Sequence, residues 1–394
     1  MAERNLDFDA IIDRRNTKCL KYDFTEIRGH RKDLLPLWVA DMDFKTSSYV
    51  EDALVSVAHH NIYGYSNTRA GDGFFEAVSG WMERHHNWKV LPEWHVKTPG
   101  VCFAIGAAIR AFSKPGEGVI IQQPVYYPFY NIIEDNKRTV VISELIHKED
   151  GSYEMDFEDF EKKIEAGNVK LFILCNPHNP VGRVWTKEEL LRIGKICREH
   201  NVIVFSDEIH FDFIWEAEHH IFQELDPSFK DITVTATSPS KTFNIAGLQQ
   251  SNIFIPNRVL YRAFRSAIAE TGFDEPNIFG IEASQAAYTH GDEWYAGMKR
   301  YVEENIDFAC DYVKSELPGV KLNKPEGTYL IWLDFNDRGL SASELDDIII
   351  NKARLYLDSG KIFGKTGEGF QRINTACPRS ILEDALERIK YALN

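Results

Sequence analysis

Between Gly118 and Thr237 the sequence repeats one pattern several times. A short apolar, β-branched run is followed by about ten residues whose apolar positions fall at helical spacing. The strand-like runs are 118–122, 139–142, 170–175, 202–206 and 232–237; the helical stretches between them are 127–134, 156–167 and 186–200. Strands flanked on both sides by helices read as almost wholly apolar, because both of their faces are buried. The alternation therefore predicts an α/β domain with a mainly parallel sheet sandwiched by helices.

The remainder of the chain fits around that unit. Residues 1 to about 35 are polar, with scattered aromatics and no sustained period, and read as an arm. Helices are expected over 47–59, 74–86 and 101–109, the last with its N-terminus at Gly100. Trp294, Met298, Val302, Ile306, Ala309, Val313 and Leu317 recur at helical spacing, so a long linking helix is expected over 293–317. A strand over 325–334, a helix over 345–353, a strand over 370–374 and a helix over 381–392 make a smaller α/β domain. A chain of 394 residues suits two domains. The expected division is an arm with part of the small domain over 1–46, a large domain over 47–290 and a C-terminal small domain over 291–394.

Composition narrows the function. A formal net charge of −15 disfavours nucleic acid and anionic membrane surfaces as partners. No stretch approaches the roughly 20 apolar residues of a membrane span, and the charged start is unlike a signal peptide. The six cysteines are scattered, without metal-ligand spacing, which predicts reduced thiols, no metal site and a cytoplasmic protein.

In an open α/β sheet, ligands bind at the carboxyl ends of the strands. Here those ends carry chemically distinct groups. The run 118–122 leads to Pro124-Val125-Tyr126-Tyr127, and 170–175 leads to Asn176-Pro177-His178-Asn179. The run 202–206 leads to Asp207-Glu208-Ile209-His210, and 232–237 leads to Ser238-Pro239-Ser240-Lys241. An amine, a carboxylate, a carboxamide and an aromatic ring along one edge are the parts needed to hold a pyridine aldehyde.

These segments resemble those of the fold-type-I pyridoxal-phosphate enzymes, the aspartate aminotransferase superfamily. Four stretches resemble its cystathionine β-lyase (C–S lyase) branch: Trp38 to Phe44, Cys175 to Trp185, Ser206 to Phe213 and Ser238 to Gln249. The resemblance implies a seven-stranded sheet in the large domain and a homodimer. It implies pyridoxal 5′-phosphate as cofactor and an amino-acid substrate, a cysteine S-conjugate such as L-cystathionine. It also implies roles. Lys241 carries the cofactor and the Cα proton, and Asp207 faces the pyridine nitrogen. Asn179 and His210 lie at the ring oxygen, and Tyr126 stacks on the ring with its hydroxyl near the substrate. Gly100, Val101, Ser238 and Ser240 take the phosphate, together with Tyr65 contributed across a dimer interface. Arg372 takes the substrate carboxylate, near Val39, Ala40 and Asn179. In two places the sequence departs from the superfamily's pattern. His210 stands where many members carry tyrosine, and Gln249 where many carry a phosphate-binding arginine. An aminotransferase and a cofactor-binding regulatory protein with residual lyase activity are the alternatives.

Overall fold

The computed structural model describes residues 2–66 and 71–394. Seven strands make the main sheet: β1 (His95–Thr98), β2 (Gly118–Gln123), β3 (Thr139–Glu144), β4 (Val169–Cys175), β5 (Ile203–Asp207), β6 (Thr233–Thr237) and β7 (Ser251–Phe254). Their order is β1-β7-β6-β5-β4-β2-β3. Strand β7 runs antiparallel to both of its neighbours; the pairings from β6 to β3 are parallel.

The period-2 alternation of the strands sorts their side chains to two cores. Val119, Ile121, Leu171, Ile173, Phe205 and Val234 pack on one face, against Ala104, Ile105, Ala108 and Ile109 of the helix Val101–Phe112. Ile120, Phe172, Leu174 and Val204 point the other way, onto Leu190 and Ile193 of the helix Lys187–Glu199. Full burial of each such side chain stabilises the fold by about 1.5–3 kcal/mol. That helix starts at Thr186, whose hydroxyl accepts from the Glu189 N–H while the Glu189 carboxylate accepts from the Thr186 N–H, a reciprocal cap.

The helix Asp292–Glu316 runs 25 residues and buries Trp294, Met298, Val302, Ile306, Ala309 and Val313 along one stripe. Beyond it lies a three-stranded antiparallel sheet, with β8 (Leu330–Asp334) and β9 (Asp358–Ser359) on either side of β10 (Phe370–Asn374). The expected strand over 325–334 starts only at Leu330, because Thr328 takes φ 72° and turns the chain before it. The helix expected over 345–353 is a short α-helix, Ala342–Asp347, followed by a π-helical turn, Ile348–Lys352. Strands β1 and β7 and the helices Arg258–Ala269 and Ile278–His290 are additional to the elements expected from sequence.

The N-terminal arm is tied down by charge. Lys21 is fully buried, with Nζ 2.7 Å from Asp43 and 3.6 Å from Asp41. Arg14 pairs with the same two carboxylates at 2.6 and 2.7 Å. Leu35–Pro36 then pairs in parallel with Leu355–Tyr356, which carries residues 38–41 across the carboxyl edge of the main sheet.

Candidate active site

A cavity of about 290 Å³ opens where β2, β4, β5 and β6 end. It is lined by Gly100, Val101, Tyr126, Asn179, Asp207, His210, Ser238, Ser240, Lys241 and Arg372, and by Val39 and Ala40 of the crossing segment. Every residue singled out from sequence is therefore at this one place except Tyr65, which lies 96% exposed on the loop after the helix Ser48–His60.

Strand β6 delivers the lysine through a tight cap. Ser238 accepts from the Ser240 N–H, starting the short helix Pro239–Thr242. Its hydroxyl donates to the Gln250 carbonyl at 2.7 Å and lies 2.8 Å from the Ser240 hydroxyl. Lys241 Nζ donates to the Ala40 carbonyl at 2.6 Å, an oxygen that also accepts from Tyr329. Burial lowers the Lys241 pKa, which raises the fraction of neutral amine.

Strand β5 ends on Asp207. The Ile209 N–H reaches its carboxylate at 3.2 Å, and burial pushes the carboxyl up to about 7. An ionised Asp207 calls for a cationic or strongly donating partner in the cavity. His210 is also buried, with Nδ1 unpaired among the described residues, and desolvation holds its pKa well below the usual value, so the ring is neutral. Strand β4 leads to Asn179, whose Oδ1 accepts from Arg372 Nη1 at 2.8 Å. Burial keeps the Tyr126 hydroxyl protonated far above neutral pH.

The opposite wall is the N-terminus of the helix Val101–Phe112. First-turn N–H groups lack helical acceptors and favour an anion. Gly100 sits just before them at φ 133°, a backbone conformation that side-chain-bearing residues seldom adopt; no atom lies within 4 Å of where its Cβ would be, so conformation rather than space calls for glycine. The Ser238 and Ser240 hydroxyls lie in the same lining, the Ser238 proton being taken by the Gln250 carbonyl. Gln249, at the position of the family's arginine, is exposed at φ 54°. Its neighbour Gln250 is buried at the cavity wall with both amide atoms unpaired among the described residues.

Leu20, Cys102 and Asp358 line the cavity but carried no sequence signal of their own, whereas Trp38 opens one of the stretches read above. Leu20 and Trp38 arrive from the arm, Cys102 from the first turn of the helix, and Asp358 from β9. Of the residues without a signal, only Cys102 could have been found, as the residue after Val101 at that helix start. Among the described residues no group of three His, Cys, Asp or Glu side chains is placed to hold a metal, and no helix is long and apolar enough to cross a membrane.

The family described as aminotransferase class I and II matches residues 32–389. Cystathionine beta-lyase PatB of Bacillus subtilis (strain 168) is 44% identical over 390 residues, 99% of this chain and 100% of that protein. Cystalysin from Treponema denticola, whose crystal structure contains a pyridoxal 5′-phosphate cofactor, superposes with a TM-score of 0.93 at 37% identity, covering 98% of each chain. The PLP-bound C-S lyase from Staphylococcus hominis gives 0.89 at 35% identity, again over 98% of each.

Proposed function

The chain belongs to the aminotransferase class I and II family, and on that footing we propose that it is a pyridoxal-phosphate-dependent carbon–sulfur β-lyase. Its substrate class is L-cysteine S-conjugates, with L-cystathionine as the test case, cleaved with water to pyruvate, ammonia and a thiol. The observation that carries this reading is the convergence of Lys241, Asp207 and Arg372 on one cavity in a chain so similar throughout to a cystathionine β-lyase.

The residues present fit the cofactor. Asp207 offers a carboxylate in need of a cationic partner, as a pyridinium N–H would be. The helix start at Gly100 and Val101, with Ser238 and Ser240, suits a phosphate, and Asn179 and His210 are near enough to the same cavity to serve a ring oxygen. Bound there, pyridoxal phosphate supplies an electron sink that acidifies the Cα–H of the amino acid.

The chain's own groups do the rest. Lys241, with its lowered pKa, takes the Cα proton. Arg372 fixes the α-carboxylate and so orients the Cα–H bond towards Nζ. The Tyr126 hydroxyl, protonated and in the cavity lining, donates to the departing sulfur. A thiolate whose thiol has a pKa near 8.5 leaves readily, which favours elimination over transamination. The exposed Tyr65 supports a homodimer in which that ring serves the neighbouring site.

Purified protein incubated with L-cystathionine and no added keto acid is expected to release pyruvate, ammonia and thiol over many turnovers. Release that stops after one equivalent and resumes with 2-oxoglutarate would make the protein an aminotransferase instead.

Asp207 gives a second check. With cofactor removed, its folded pKa of about 7 stands above the ordinary value of about 3.9 for the unfolded chain. The protonated form is thus the one the fold favours. Its contribution is full below about pH 4 and is lost as pH rises through about 7, a difference on the order of 2–4 kcal/mol. Asp207→Asn should therefore raise the melting temperature of the cofactor-free protein at pH 8, and leave it nearly unchanged at pH 4. Equal melting curves at pH 8 would show that the ionised carboxylate is already compensated. In the same variant cofactor affinity should fall, read by fluorescence titration.

A further inference from the structure

Arg372 is buried, and most of its hydrogen-bonding capacity is already taken. A guanidinium has five N–H groups. One on Nη1 goes to Asn179 Oδ1 at 2.8 Å. Both on Nη2 are used, one by the Trp38 carbonyl at 2.9 Å and one by the Asp358 carboxylate, in a very short ion pair. Nε is buried without a partner among the described residues. The two N–H groups left over, on Nε and on Nη1, lie on different edges of the guanidinium plane. A carboxylate that binds as a fork needs two neighbouring N–H groups, so it must displace a partner. Asn179 and the Trp38 carbonyl are neutral. Asp358 is an anion, and two carboxylates on one buried cation repel.

Asp358 has somewhere to go. It lines the cavity, and the charge of Arg28 reaches it there. Arg28 is exposed, its guanidinium 4.6 Å above the ring of Trp38, which lines the cavity. Among the described residues no carboxylate lies within ion-pair distance of it.

Taking Arg372 as the carboxylate site of the function proposed above, we propose that Asp358 is a displaceable counter-ion. It holds Arg372 in place until a substrate carboxylate arrives, then yields Arg372 and turns to Arg28. Asp358 is thus a positioning residue that sets substrate affinity by competition.

The test uses holoenzyme and two readouts. Calorimetry with 3-(methylthio)propanoate, which has the carboxylate but no amino group, reads binding at Arg372 without turnover. KM and kcat for S-methyl-L-cysteine, which has no distal carboxylate, read the reacting complex. Asp358→Asn keeps the shape and removes the competing charge. It should tighten the probe and lower KM by about tenfold, with kcat within about twofold. Arg28→Ala, at an exposed position, should raise KM about threefold in the otherwise unchanged protein and leave it unmoved in Asp358→Asn, since the two act as one coupled pair. An Asp358→Asn protein that binds the probe no better, or more weakly, would show that Asp358 merely orients Arg372, and the proposal fails. An Arg28→Ala effect of equal size in both backgrounds, or none in either, overturns the hand-over to Arg28. Probe binding that survives Arg372→Ala would remove Arg372 as the carboxylate site, and this proposal with it, whereas tight, Arg372-dependent binding without any thiol release would count against the lyase reading alone.

Discussion

Replacing Lys241 with alanine is expected to lower kcat for thiol release from L-cystathionine by on the order of 10⁴-fold, the upper range for loss of a positioned proton carrier. The lysine is the basic side chain at the carboxyl edge of β6 with its amine in the cavity, and burial lowers its pKa, which increases the share of free base. Lys241 donates its one hydrogen bond to a backbone carbonyl, Ala40, which Tyr329 also serves. Truncation therefore leaves no buried charge unpaired, and the melting temperature should move little. Cofactor should still bind through Asp207 and the helix start at Gly100, but no longer covalently. Borohydride treatment followed by peptide mapping should label position 241 in the unsubstituted protein and no lysine in the variant. A small amine such as methylamine, added to the variant, should restore part of the rate, because it can occupy the space the side chain leaves. Turnover in Lys241→Ala within tenfold of the unsubstituted protein would mean that another group moves the Cα proton.

What could be read in the sequence follows from where the signals arise. Strands β2, β4, β5 and β6 were legible because each is buried on both faces and so rich in apolar or β-branched residues, a local property. The strand β7, Ser-Asn-Ile-Phe, begins with two polar residues whose side chains are satisfied only by distant partners: Ser251 lies 2.6 Å from the Thr98 hydroxyl, and Asn252 donates to the Tyr288 hydroxyl. No local pattern reports that. The same contrast holds at the site. Lys241, Asp207, Asn179 and Tyr126 follow strand ends directly, so topology alone gathers them. Asp358 lies on a two-residue strand that reaches the cavity only because β9 pairs with β10 beside Arg372. Leu20 and Trp38 arrive with an arm whose course depends on the Lys21–Asp43 pair and on a two-residue parallel pairing with Leu355–Tyr356.

The Arg372→Ala variant should show the largest combined effect, because Arg372 serves substrate and fold together. For the substrate, losing a desolvated, forked charge partner should weaken binding by about 2–5 kcal/mol, seen as a rise in KM of on the order of 10²-fold or more. Arg372→Lys should recover little of it, since an ammonium cannot reproduce the planar fork. For the fold, the variant strands Asp358. Burial raises that carboxyl's pKa and Arg372 opposes the rise, so without Arg372 the aspartate must take up a proton or give up its buried place to turn to the exposed Arg28, and either costs the folded state. Breaking a buried pair from one side destabilises by about 3–5 kcal/mol, and the melting temperature should drop accordingly. The two losses can be separated. In Arg372→Ala with Asp358→Asn the stranded charge is gone, so thermal stability should largely return while KM stays high. Lower pH separates them too, because protonating Asp358 relieves the single variant: its deficit in melting temperature against the unsubstituted protein should shrink between pH 8 and pH 5. A double variant as unstable as the single one would mean that the guanidinium supports the fold through its bonds to Asn179 and the Trp38 carbonyl rather than by balancing Asp358.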